Sequence, residues 1–262
     1  MALASSARPI EGAVATLGAS DRIAFLRKTY GLLGIALIAW PLLTAGIMKL
    51  APESSLRMSM WALGGGRWNW LLVIGLFMIV GWVANKLAMS EASRGLQYVG
   101  LGLEVGAWSL LLQPIIWILM LRFGNPNEIL TTTDGVTPML SGEASSILFQ
   151  AIVITLAIFV GLTLTVFITK KDFSFLGGIL SICTFAVLGV ILASILFGFS
   201  LGALFCGLVV LLMAGYILYQ TSMIMAHFPP TAHVAAALML FSTIATLFWY
   251  VLQLLMSLRS SD

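Results

Sequence analysis

The chain has 262 residues, of which 60% are hydrophobic and only 9% charged, whereas soluble domains are about 25% charged. That balance excludes an ordinary soluble domain and marks a membrane protein. The net charge of +3 would suggest nucleic-acid attraction in a soluble chain, but the basic residues here flank apolar runs, so the charge reads as topology and no nucleic-acid partner is expected.

Residues 1–29 carry charges and lack the short apolar core and small-residue cleavage site of a secretory signal. They are expected to form a cytoplasmic N-terminal segment, with the first span retained. Seven apolar runs follow, at 30–48, 70–87, 96–121, 147–169, 175–197, 201–226 and 232–258, each near the roughly 20 residues a helical span requires. Lipid offers no partner to an open backbone amide, and the runs are too long and uniform for barrel strands, so all are expected to be helices. The fold class is therefore all-α: a seven-helix transmembrane domain over residues 30–258 with a tail at 259–262. Short connections should make successive helices antiparallel neighbours in one bundle. Residues 122–146 are the exception, a loop rich in Pro, Gly, Thr and Ser that has no core of its own and is expected to be mobile. Its acids Glu128, Asp134 and Glu143 are better explained by solvation than by cation binding.

With the N-terminus inside, Arg8, Arg22, Arg27, Lys28, Lys86, Arg94, Lys170 and Lys171 lie on the cytoplasmic side and Lys49, Arg57, Arg67, Arg122 and Arg259 outside. The excess of inner cations favours an inner N-terminus and an outer C-terminus. Trp68, Trp70, Trp249 and Tyr250 near helix ends suit either interfacial anchoring or helix packing. Cys183 and Cys206 fall within apolar runs and fit no metal motif. Nucleophile-elbow, zinc-protease and nucleotide-binding signatures are absent; His227 and His233 flank the "FPPTA" turn and read as boundary residues. Neither enzymatic activity nor a cofactor nor a bound metal is expected.

The candidate site lies within the membrane. Glu104, in "VGLGLEVGAWSLLLQP", sits about 12 Å into its helix at 1.5 Å per residue, and an acid at such depth normally faces the bundle interior. Gln220 lies about 10 Å from the same end of its own helix, and Ser242 and Thr243 about 15 Å into the last. Glu104, Gln220, Ser242 and Thr243 thus share the cytoplasmic half and form a candidate polar cluster, which the long stem of Lys86 could join. Such residues also bridge helices for purely structural reasons; the acid, costly as a mere bridge, is what favours function. Lys170, Lys171 and Asp172 form the densest inner charge group, and helix dipoles account for their placement. Gly177 and Gly178 beyond them suit close helix packing.

Three ordered segments, "FLRKTYGLLG", "TKKDFSFLGG" and "GYILYQTSMI", resemble the Bax inhibitor, or transmembrane Bax inhibitor motif, family, particularly its bacterial YccA-like members, over most of the chain. The resemblance implies six helices around a central last one in a bacterial plasma (inner) membrane. It also implies two activities described for the family, a pH-sensitive calcium leak and modulation of the membrane-anchored AAA protease FtsH, so that a protease complex is the expected partner and Ca2+ the alternative cargo. Leak-type members carry a pair of aspartates as a pH latch, and the matching positions here hold Gln220 and Thr243. Neither can titrate, so that latch does not carry over, and Glu104 is left as the acid on which any proton response would rest. Oligomeric state is not readable from these residues.

Overall fold

The computed structural model describes residues 18–64, 66–90, 93–124, 131–132, 135–136, 140 and 142–260. Because lipid leaves backbone amides no partner but each other, helices carry nearly all of it: α1 (Ala19–Leu50), α2 (Pro52–Gly64), α3 (Arg67–Ala88), α4 (Arg94–Phe123), α5 (Gly142–Thr169), α6 (Leu176–Phe197), α7 (Ala203–Ala226) and α8 (His233–Arg259). Seven are long and apolar enough to cross a membrane. The protein is an all-α, seven-span membrane bundle.

Two helices differ from the sequence expectation. α1 begins at Ala19, well ahead of residue 30, because Phe25 and Thr29 give its charged first turns a buried inner face while Arg27 and Lys28 stay exposed. Its 32 residues extend about 48 Å, beyond the hydrocarbon core of about 30 Å. α2, between the first two spans, was not anticipated at all. Pro52 opens it at the position where a missing N–H does no harm, and Glu53 suits the positive end of its dipole. Its buried face, Ser55, Ser59 and Ala62, is small and polar rather than apolar. A search for apolar runs therefore passes over it.

The last helix is the axis of the bundle. α8 packs against α1, α3, α4, α5 and α7, and 72% of its most apolar stretch is buried, against 6% for α6. Ala236, Ala237 and Ala245, fully enclosed, let neighbouring backbones close in. Phe241 and Phe248 of α8 meet Trp40 of α1 edge-on at 5.8 and 5.4 Å between ring centroids. The second close seam joins α3 to α4: a Cβ built on Gly100 would lie 2.5 Å from the Ala84 carbonyl oxygen and 2.8 Å from the Ala88 nitrogen. A Cβ built on Gly177 would lie 3.0 Å from the Tyr219 ring, whereas one on Gly178 would meet nothing within 4 Å. Trp70 and Trp249 stack on one another, 6.5 Å apart, with Trp249 buried; packing is their role, while Trp68 is exposed.

Among the described residues of the long loop, β1 (Thr131–Thr132) and β2 (Gly135–Val136) pair antiparallel. Glu143 forms an ion pair with Arg259 at 2.8 Å, tying the start of α5 to the end of α8. Glu128, Asp134 and Arg8 lie outside the described residues. Cys183 is exposed and Cys206 buried, both as free thiols.

Candidate functional site

Ser93 caps α4 by accepting the Leu96 N–H at 3.2 Å, and ten residues after the first helical position the chain places Glu104 against α8. Its carboxyl is buried, 4% exposed. Oε1 accepts the Ser242 hydroxyl at 2.5 Å and the indole N–H of Trp108 at 3.2 Å; Trp108 stands one turn further along the same face. Oε2 is buried with no hydrogen-bond partner among the described residues. It points to Gly81 of α3, where a built Cβ would lie 3.6 Å away. The indole of Trp108 meets Phe77 and Trp40 edge-on, at 5.0 and 6.0 Å, so the ring that binds the carboxyl is itself held by aromatic neighbours. No cation lies within ion-pair distance of it among the described residues: both ion pairs found there are at the surface.

Thr243 donates to Gln220 Oε1 at 2.9 Å and shares the same proton with the Met239 carbonyl at 3.1 Å. Ser242 and Thr243 are consecutive on α8, about 100° apart around its axis, so one reaches α4 and the other α7. The four residues are thus two junctions on different sides of the central helix, Glu104 with Ser242 and Gln220 with Thr243. Lys86 belongs to neither. It is exposed, with Nζ 4.1 Å over the Trp82 ring; lying at the end of α3, it finds water and an aromatic face more cheaply than a buried acid.

At the α5–α6 connection, Lys170 ends α5 in the left-handed region, φ +52°, a conformation that disfavours a side-chain-bearing residue by about 1 kcal/mol; its N–H closes on the Val166 carbonyl at 2.9 Å. Asp172 Oδ1 then accepts the Ser174 N–H at 2.8 Å and the Ser222 hydroxyl at 3.0 Å, while Ser222 Oγ accepts the Phe173 N–H at 2.9 Å. One α7 serine therefore staples the loop to the bundle. Partial burial pushes the Asp172 carboxyl upward, but the hydrogen bonds from Ser174 and Ser222, with the His227 charge, outweigh it and hold the group below the ordinary aspartate value. His227 and His233, at the two ends of the α7–α8 turn, are half-buried.

A larger polar network escaped the sequence reading. Ser55 of α2 donates to Gln113 Oε1 at 2.6 Å and accepts the Trp117 indole N–H at 2.8 Å. The Gln113 amide donates to the carbonyls of Thr44 and Ser109, and Ser109 donates to those of Val105 and Trp40. Ser109 and Gln113 stand four apart inside the α4 apolar run, and that spacing was the available signal; their partner Ser55 sits on a helix the apolar pattern does not reveal.

The fold and these junctions define a polytopic α-helical membrane protein with a central helix and, among the described residues, a buried carboxyl that has no ion-pair partner. The chain belongs to the Bax inhibitor family. The family model described as "Inhibitor of apoptosis-promoting Bax1" matches residues 130–260. Bax inhibitor 1 of Schizosaccharomyces pombe is 30% identical over 256 residues, covering 95% of this chain and 82% of that protein. The uncharacterized protein PA2604 of Pseudomonas aeruginosa is 31% identical over 118 residues, covering 43% of this chain and 50% of that protein. No solved structure gives a significant match.

Proposed function

We propose that this protein is a non-catalytic regulator in a bacterial inner membrane that binds and modulates a membrane-anchored AAA protease complex of the FtsH type. The observation that carries this reading is the Thr243–Gln220 hydrogen bond of 2.9 Å. It closes the α7–α8 seam with two side chains that cannot titrate, at the positions where leak-type relatives hold their aspartate pair. A junction of two side chains that cannot ionise has no proton-driven reason to part. The expected result is co-purification of the protease with this protein from native membranes in mild detergent. Its consistent absence overturns the reading.

A second reading, a calcium or cation leak, is favoured by one feature: the buried Glu104 Oε2 without a partner among the described residues, since intramembrane acids commonly mark ion or proton paths. Calcium flux in proteoliposomes across pH 5–8 separates the two. The regulatory reading expects flux equal to that of empty liposomes. Flux that Glu104→Gln abolishes would establish the leak instead.

The orientation proposed is N-terminus inside and C-terminus outside. Spanning helices joined by short connections alternate in direction, which puts Arg22, Arg27, Lys28, Lys86, Arg94, Lys170 and Lys171 at one end. Cations concentrate on the cytoplasmic side of membrane proteins.

A further inference from the structure

At the end of the bundle where α1 begins, a cleft of about 120 Å³ opens between α1, α5 and α7. Arg22, from α1, and Lys170 and Lys171, from the end of α5, converge on it. None of the three forms an ion pair with a carboxylate among the described residues. One acid, Asp172, also lines the cleft, with its Oδ1 engaged by Ser174 and Ser222. With three cations against one carboxylate, the cleft is left net positive. The negative end of the α5 dipole explains lysines at its terminus, but it does not explain an arginine brought to the same cleft by another helix. The floor is apolar: Val166 of α5, one turn before Lys170, and Met225 in the last turn of α7. Cations above and hydrocarbon below form the profile of the membrane interface, and basic clefts between transmembrane helices commonly hold phospholipid headgroups.

We propose that this cleft is a binding site for the phosphodiester headgroup of an anionic phospholipid, with Arg22, Lys170 and Lys171 around the phosphate and the glycerol backbone over Val166 and Met225. The volume is several times the roughly 10–15 Å³ that one water needs, enough for a phosphate group. The lipid would bridge α1 to the α5–α6 loop, two elements with no direct hydrogen bond between them among the described residues.

Native mass spectrometry of the full-length protein, with phosphatidylglycerol and phosphatidylcholine of matched acyl chains, tests this. Wild type is expected to retain phosphatidylglycerol preferentially. The combined Arg22→Gln, Lys170→Gln and Lys171→Gln variant should lose about fivefold of that preference per cation removed, while Arg27→Gln, Lys28→Gln and Lys86→Gln, equal in charge change and at the same end, should keep most of it. Unaltered retention in the first variant overturns the site, as does equal loss in the second, which would mean a diffuse surface effect. Binding of inorganic phosphate with no preference for phosphatidylglycerol over phosphatidylcholine would overturn the lipid assignment. Should the first variant fail to fold, Lys171→Gln alone replaces an exposed side chain and is expected to lose about fivefold; undiminished preference there also overturns the proposal.

Discussion

Among the described residues, Glu104 holds two donors on one oxygen and none on the other, and that asymmetry predicts how it responds to substitution. Glu104→Gln preserves the Oε1 acceptor for Ser242 and Trp108, so it should change unfolding stability in detergent by no more than about 1 kcal/mol. Glu104→Ala strands both buried donors and leaves a void, and should cost about 2–4 kcal/mol. Equal losses for the two variants would show that the carboxyl, rather than the acceptor, holds the junction. Asp172 behaves differently, because its folded-state value is depressed. A depressed carboxyl contributes stability that is fully present above the ordinary aspartate value of about 3.9 and is lost as pH falls through the lower folded value. The difference in thermal stability between wild type and Asp172→Asn should therefore be present at neutral pH and shrink as pH falls below about 4. A difference undiminished in stronger acid would place the titration elsewhere.

At the scale of elements, the α3–α4 seam depends on the missing side chain of Gly100. A methyl there meets the α3 backbone at 2.5 and 2.8 Å, and a backbone cannot rotate aside as a side chain would. Gly100→Ala should destabilise by about 1–3 kcal/mol, measured by thermal unfolding, whereas Gly178→Ala, with nothing within 4 Å, should be neutral or slightly stabilising. The α7–α8 seam is governed by charge. Replacing Gln220 and Thr243 together by aspartates puts two carboxyls where one hydrogen bond of 2.9 Å now lies. Like charges so close share a proton and split their titrations, so the double variant should lose stability steeply as pH rises from 5 to 8. Wild type has no such pair and should show no comparable loss as pH rises, and the absence of that loss in the double variant would show that the two positions separate when charged.

For the whole molecule, the distribution of charge fixes the expected orientation. A tag at the C-terminus should be accessible to protease in spheroplasts and one at the N-terminus protected. The opposite pattern would invert the proposed topology. It would also move the phosphate cleft to the outer leaflet without altering its chemistry.

The sequence by itself determined the class, the spans and the family. Length and apolarity are local properties, and a 20-residue apolar run has few alternatives to a helix in lipid. It also determined that an acid, a glutamine, a serine and a threonine lie at similar depth, because rise per residue is fixed. Rotation about each helix axis is not local, and only packing decided it: Ser242 faces α4, Thr243 faces α7, and Lys86 faces neither. The same reason hid α2, whose buried face of Ser55 and Ser59 makes sense only once Gln113 and Trp117 are across from it. Apolarity likewise does not tell which helix is central. Lipid-facing α6 is among the most apolar of the spans, while the buried α8 admits serine and threonine because its neighbours, unlike lipid, can hydrogen-bond to them.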